Sequence, residues 1–542
     1  MNETLSADCY PVTLLPGMSR IFLDYCGGAA GARAFQPTLA RDGAWRRRPA
    51  APEHRPELVR LLREQNPAPE AARALDALAQ GAGTVVTGQQ VALFGGPLFT
   101  PYKMASVVAR ARQASAHGDS HAAVFWLASS DHDFAEIDHV VFPGGRGLTK
   151  LVYPAAPEAP VPVGRVLLDD SILPLVDRAR ELLGPSEATE ALARAYQPGK
   201  TFAQAFAEFY ASIFGRLGML VLDASGEGSG REFHRMGSPV LRAAIERADE
   251  LHAALLERNR DLEAAGYHAQ VAVLPQSSLL FLIDEKTGAR QALKRSAPSA
   301  AEPKGLWQAG EENYSTGDLV GILEAAPERI SPAALLRPVF QDFLLSSSLI
   351  IGGPAEIAYF AQSAVLYERI LGRQTPAGPR FSATLIEPSI GELMRRHEVT
   401  LDRVWGEDSS SLAQLLATRA MPAETRKRLA NAGAALDSEL AMLVDWMRAQ
   451  DEGLGRSAET AASKMQYQMH RLRTLAANFQ MQREASLARH AEAIAQALYP
   501  GGVLQERLHG AAYYFARYGL ELAEKLSADA EKTCPGHMAI WL

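Results

Sequence analysis

The densest run of side chains able to do chemistry is Asp131-His132-Asp133, followed by Glu136, Asp138 and His139. Carboxylates grouped this way can bind a substrate ammonium, a ribose hydroxyl or nucleotide-bound Mg²⁺. On a helix His132, Glu136 and His139 would share a face and suit a transition metal. Ile137–Phe142 reads as a strand instead, which scatters those side chains, so no metal site is expected there. A cap with surface charges is the structural alternative. The position of the cluster, directly after the apolar run Ala122–Ala128, favours a ligand crevice. Further candidates lie elsewhere along the chain. Gln89-Gln90 and then Gly95-Gly96-Pro97 precede a helix carrying Lys103 in its first turn. The helix dipole disfavours that lysine by about 0.3–1 kcal/mol. An anion held by Lys103 and free backbone N–H groups would reverse the sign, although a solvated lysine tolerating the penalty fits equally. Gly352-Gly353-Pro354-Ala355-Glu356 is a second glycine-rich turn opening a helix. Glu356 there is either a reciprocal cap on Gly353 or a ligand group. Asp223 closes a strand, which is also common turn chemistry. Arg337, with Gln341 nearby, offers a planar fork for a carboxylate or phosphate, or else a surface salt bridge.

The elements that must position these groups follow from the hydrophobic pattern. Thr84–Thr87, Ala122–Ala128, Met219–Leu222, Val271–Leu274, Leu279–Ile283 and Ser348–Ile351 read as short apolar strands. Between the first two, Met104, Val107, Val108 and Ala111 mark one helix face, with Thr100 as expected N-cap and Pro101 at the first helical position. Such alternation indicates an α/β fold around a mainly parallel sheet, whose ligands bind beyond the carboxyl ends of the strands. The expected organisation is an N-terminal helical segment over 1–80 packing on a core over 81–390. Pro- and Gly-rich or polar stretches at about 143–215 and 285–335 read as insertions into that core. A helical hairpin covers 391–499, and 500–542 returns to the core. In the hairpin Leu436, Leu440, Leu443 and Met447 mark one stripe, Met465, Leu472 and Phe479 a second, and Gly453 and Gly455 a reversal between them. Two long helices folding back as an antiparallel coiled coil are the simplest account.

Composition narrows the function classes. The 542 residues carry a net charge of −7, with 47% hydrophobic and 22% charged residues, the balance of a globular protein. An acidic pI near 6.1 argues against a nucleic-acid binder. No signal peptide and no run of about 18 apolar residues is present, so a cytoplasmic, non-membrane protein is expected. Cys9, Cys26 and Cys534 are scattered, with no C-x-x-C pair to make a tetrahedral zinc site. Neither G-x-x-x-x-G-K-[ST] nor G-x-S-x-G occurs, which argues against P-loop phosphoryl transfer and the hydrolase nucleophile elbow. What remains is a crevice that works by positioning and charge stabilisation.

Thr87–Lys103 (TGQQVALFGGPLFTPYK), Phe125–Ile137 (FWLASSDHDFAEI), Gly266–Val271 (GYHAQV), Leu335–Asp342 (LLRPVFQD), Gly352–Tyr359 (GGPAEIAY) and Leu504–Arg507 (LQER) together resemble the BshC family, the cysteine-adding enzymes of bacillithiol biosynthesis. The resemblance implies a Rossmann-like core similar to class I aminoacyl-tRNA synthetases, two connecting-peptide insertions, and a C-terminal coiled coil that makes a homodimer. It further implies ligation of L-cysteine to the amino group of glucosaminyl-malate, with ATP, and Mg²⁺ beside it, activating the cysteine carboxylate as an adenylate. By position, Gln89, Gln90 and Lys103 would then lie where the synthetase phosphate signature sits, although H-x-G-H itself is absent. Gly95, Gly96, Asp223, Gly353 and Glu356 would join Lys103 around the nucleotide. Asp131, His132 and Asp133, with Glu136, would face the cysteine ammonium or the sugar, and Arg337 and Gln341 the malate carboxylates. Another nucleotidyl or acyl transferase, or a non-catalytic nucleotide-binding assembly protein with a coiled coil, are the alternatives.

Overall fold

A strand apolar on both faces is stable only when it is covered from both sides, and the run His121–Leu127 is buried at every residue. In the computed structural model it occupies the interior of a five-stranded sheet. The structure describes residues 7–36, 44–46, 52–144, 147–226, 228–296, 306–484, 486–532, 534 and 536–542. The sheet comprises β1 (Gly83–Gln89), β2 (His121–Leu127), β3 (Met219–Leu222), β4 (Leu349–Gly352) and β5 (Ala377–Pro379). Their order is β5-β4-β1-β2-β3, and every neighbouring pair is parallel. From β1 the chain builds outward to β2 and β3, then returns to place β4 on the other side of β1. The order therefore reverses between β1 and β4, which opens a crevice at the carboxyl ends of those two strands.

Helix α1 (Phe99–Ala116) links β1 to β2. It begins before the expected Thr100 cap: Thr100 is buried inside the first turn, and Pro101 fits there because a first-turn N–H needs no helical partner. Helix α2 (Arg337–Leu345) leads into β4, and α3 (Pro354–Leu371) leaves it. Leu279–Ile283 lies within a strand, Ser277–Ile283, but of a separate antiparallel sheet with Arg290–Arg295, Trp307–Ala309, Glu312–Tyr314 and Ile330–Pro332. Val271–Leu274 forms no strand. The Gln362 side chain takes the place of a ladder partner there, accepting from Val271 N at 2.9 Å and donating to Val271 O at 2.9 Å.

The chain divides into two compact units. One comprises Pro11–Ala383 with Glu506–Met538 and contains the parallel sheet. The other is built on Thr384–Gln505 and contains two long helices, α4 (Ala423–Gln450) and α5 (Glu452–Arg483). The chain turns at Asp451, two residues before the first of the expected glycines, because the Asp451 side chain caps α5 by accepting from Leu454 N at 2.8 Å. Gly455 serves contact instead: a Cβ there would meet Arg448 Cα at 2.8 Å. Gln466 donates to Asp437 and Arg473 to Leu429 O, which ties the two helices along their length. Leu443, Met465, Leu472 and Phe479 are exposed. No helix among the described residues is long and apolar enough to cross a membrane.

Burial in the sheet-bearing unit creates acid-sensitive points at His234 and at His537, each with its pKa pushed down to about 4. His234 is 2% exposed, donates through Nδ1 to Gly230 O at 2.8 Å and packs on the Phe340 ring. Burial pushes its pKa down to about 4. An unfolded imidazole takes a proton below about 6.5, so stability is full above that pH and falls as the pH drops toward 4. The expected loss is roughly 3 kcal/mol for this group. Urea unfolding across pH 7 to 4.5 should show the decline, and His234→Gln should make it shallower, leaving the share that His537 contributes. An unchanged slope in that variant would rule the ring out as the titrating group.

Candidate functional site

At the switch point lies a cavity of about 260 Å³. The end of β1 supplies Gly88, Gln89 and Gln90, while the turn after β4 supplies Gly353, Pro354, Ala355 and Glu356. Gly88 packs closely here: a Cβ would stand 3.3 Å from both Gln341 Nε2 and Trp126 O, so a larger residue would press on both. Lys103 is the tie between the two strand ends. It is 3% exposed, donates to Gly88 O at 2.7 Å and Gln89 Oε1 at 2.8 Å, and pairs with Glu356 Oε2 at 2.5 Å. An ammonium has three protons, so all are engaged. Burial lowers the Lys103 pKa, and Glu356 opposes that shift. The same Glu356 oxygen accepts from Gly353 N at 2.7 Å, so one carboxylate both caps the turn and neutralises the lysine.

Asp131 enters from the loop after β2. It accepts from Gln90 Nε2 and from His132 N, each at 2.8 Å, with Arg337 Nη2 4.0 Å away. Burial would raise its pKa, but Arg337, the His132 N–H, Arg290 and Gln90 outweigh that and hold the carboxyl below its ordinary range. Arg337 and Gln341 project from α2 one turn apart, and Tyr359 from α3. Opposite charges close another part of the lining. Arg380 Nη2 meets Glu506 Oε1 at 2.5 Å and Nη1 meets Oε2 at 3.0 Å, with Ser382 Oγ donating to Glu506 at 2.9 Å. Burial opposes both charges, yet the pair raises the arginine and lowers the glutamate. A second cavity, about 530 Å³, adjoins and shares Pro354 and Arg380.

The structure thus gathers Gln89, Gln90, Lys103, Asp131, Arg337, Gln341, Gly353 and Glu356 around one hollow. Other expected residues do not line it. Asp133 and Glu136 are exposed on the short helical turn after Asp131, although Gln90 also donates to Glu136 at 3.1 Å. His132 turns toward the antiparallel sheet, where Arg290 donates to its Nδ1 at 3.1 Å and stacks 3.6 Å above the Phe281 ring. Burial and Arg337 bring the Arg290 pKa down to about 9. The Gly95 and Gly96 N–H groups are taken by the Tyr196 hydroxyl and Leu93 O. Asp223 accepts from Ser129 Oγ at 2.5 Å and Ser225 N at 2.9 Å, and burial pushes its carboxyl up. Tyr359, Arg380 and Arg507 line the cavity without having been singled out from the sequence, though Tyr359 and Arg507 lie in the matching GGPAEIAY and LQER blocks. None of the described lining residues is Ser, Thr, Cys or His. Fixed charges and hydrogen-bond donors are what this cavity offers a reaction.

The central ion pair gives a direct test. Lys103→Met strands a carboxylate at the turn, and removing one partner of a buried pair costs roughly 3 kcal/mol. Urea denaturation should show that loss, and Lys103→Met with Glu356→Gln should recover part of it. A single-variant loss below about 1 kcal/mol would mean the pair behaves like a surface contact.

Comparison with known proteins agrees with this layout. Residues 8–380 match the family model described as "Bacillithiol biosynthesis BshC, N-terminal Rossmann-like domain". Residues 383–541 match "Bacillithiol biosynthesis BshC, C-terminal coiled-coil domain". A relative from Koribacter versatilis, named "Putative cysteine ligase BshC", is 39% identical over 98% of this chain and 99% of its own. Relatives of the same name from Solibacter usitatus and Thermus thermophilus are 35% and 31% identical, over 98% and 92% of this chain and 98% and 95% of theirs. With both halves of the chain matched and the parallel-sheet crevice in place, the protein belongs to the BshC family of bacillithiol biosynthesis.

Proposed function

We propose that the chain is a carbon–nitrogen ligase joining the carboxyl of L-cysteine to the amino group of glucosaminyl-malate, with ATP and Mg²⁺ as co-reactants. The observation that carries this reading is the cavity at the switch point, where the carboxylates Asp131 and Glu356 and the cations Arg337 and Arg507 line one small volume. Cysteine and a malyl sugar carry that mixture of charges: an ammonium, carboxylates and an amine. Asp131, kept ionised by its neighbours, takes the cysteine ammonium or Mg²⁺. Arg337 takes a malate carboxylate bidentately. Ala355, which lines the cavity in the first turn of α3, and Arg337 present donors that fit an anionic phosphate or carboxylate. ATP, when bound, supplies the activation that makes the cysteine carboxyl a competent acyl donor. The protein's part is to hold amine and carboxyl in register, since orientation alone can lower a barrier by about 7–11 kcal/mol.

The core is similar to class I synthetases with two connecting-peptide insertions, and α4 and α5 form an antiparallel coiled coil that pairs two copies. The exposed Leu443 on α4 and Met465, Leu472 and Phe479 on α5 support that pairing, because large exposed apolar groups favour a covering partner. The enzyme works in the cytoplasm, where ATP and free cysteine are at hand.

Purified protein incubated with ATP, cysteine and glucosaminyl-malate should yield the thiol product by mass spectrometry. Asp131→Asn should lower the rate roughly a hundredfold with the melting temperature unchanged. No product from a protein with an intact melting transition would overturn the ligase reading.

A further inference from the structure

Two cations of the cavity are complete in themselves: Lys103 is closed by Glu356, Gly88 and Gln89, and Arg380 by Glu506. Four other groups that line the same cavity are not closed. Arg337 has a buried Nε without a hydrogen-bond partner among the described residues, and Asp131 is 4.0 Å from its Nη2. Gln341, at i+4 on the same helix, is 7% exposed, and its amide makes no hydrogen bond among the described residues. The Tyr359 hydroxyl is likewise without one, and burial together with Glu356 pushes its pKa up, so it stays a donor. Arg507 lines the cavity from the segment after Glu506 and makes neither an ion pair nor a side-chain hydrogen bond among the described residues.

These four groups share one property, N–H or O–H donors free for a ligand, and two of them carry permanent positive charge. Such a lining selects anionic oxygens. A ligand with a single carboxylate would engage one guanidinium and leave the donors of the other open, whereas a dicarboxylate engages both. Arg337, Gln341 and Tyr359 come from α2 and α3, while Arg507 comes from the distant C-terminal segment, so the two charges enter the cavity from separate parts of the chain.

We propose that Arg507 is a specificity-determining residue of the acceptor site: Arg337, supported by Gln341 and Tyr359, holds one carboxylate of the malyl group, and Arg507 holds the other. This rests on glucosaminyl-malate being the acceptor. Nucleotide phosphates share the same oxygen chemistry, and the test separates them.

Isothermal titration of the full-length protein with glucosaminyl-malate, with each of its two monoamides and with ATP reads the proposal without turnover. Wild type should bind the diacid roughly tenfold to a hundredfold more tightly than either monoamide. Arg507→Gln should erase the discrimination against one monoamide and keep it against the other, Arg337→Gln should do the reverse, and Arg507→Lys should recover part of the loss. The melting temperature of Arg507→Gln should equal that of wild type, because the side chain is exposed and unpaired among the described residues. Discrimination against both monoamides retained in Arg507→Gln would overturn the clamp alone. Weakened ATP binding with the diacid unaffected would assign Arg507 to phosphate and overturn it too. Failure of wild type to bind glucosaminyl-malate at all would overturn the acceptor reading beneath it.

Discussion

A lysine buried where two strands diverge must find a counter-charge, and the rest of this site depends on where it finds it. Lys103 sits on the helix after β1, and its partner Glu356 sits in the turn after β4. The pair therefore ties together the two strand ends that the topology sets apart. Because Glu356 also caps the Gly353 turn, the start of α3 is held by the same contact. With the lysine's protons all engaged, its role is to set the shape of the cavity rather than to grip a ligand.

The remaining charges are arranged around that fixed edge. Arg380 and Glu506 neutralise one another although both are almost fully buried, which leaves their part of the lining rigid and electrically quiet. Asp131 is held ionised by donors on several sides. Arg337 and Arg507 stay available. A cavity whose internal pairs are saturated and whose open groups are of known sign can discriminate by charge with little reorganisation on binding.

Much of this was legible in the sequence. Apolar runs such as Ala122–Leu127 mark the parallel strands, and the polar residues after them or on the flanking helices include Gln90, Lys103, Asp131, Arg337, Gln341 and Glu356, all of which the fold brings together. Arg380–Glu506 was not legible as a pair, because its partners lie 126 residues apart and nothing local joins the residue after β5 to the LQER block. Arg290 lies in a polar stretch whose pairing into an antiparallel sheet leaves no local signature. Asp133 and Glu136 looked like crevice residues because they follow Asp131, but the helical turn at Phe134–Glu136 carries the chain outward. Gly95 and Gly96 were expected around the nucleotide, yet buried tyrosine hydroxyls and Leu93 O already engage their backbone. Val271–Leu274 has strand-like composition, but side chains take its end backbone groups instead of a strand: Gln362 at Val271, and His252 and Ser277 at Leu274.

The central claim is that one hollow, braced by Lys103 and Glu356, seats the small charged reactants. A crystal structure of the protein with glucosaminyl-malate tests it most directly. The account requires the ligand between Arg337 and the Gly353 turn, with the Lys103–Glu356 contact unbroken. A ligand seated away from this hollow, or a Lys103 that leaves Glu356 to bind it, would contradict the account.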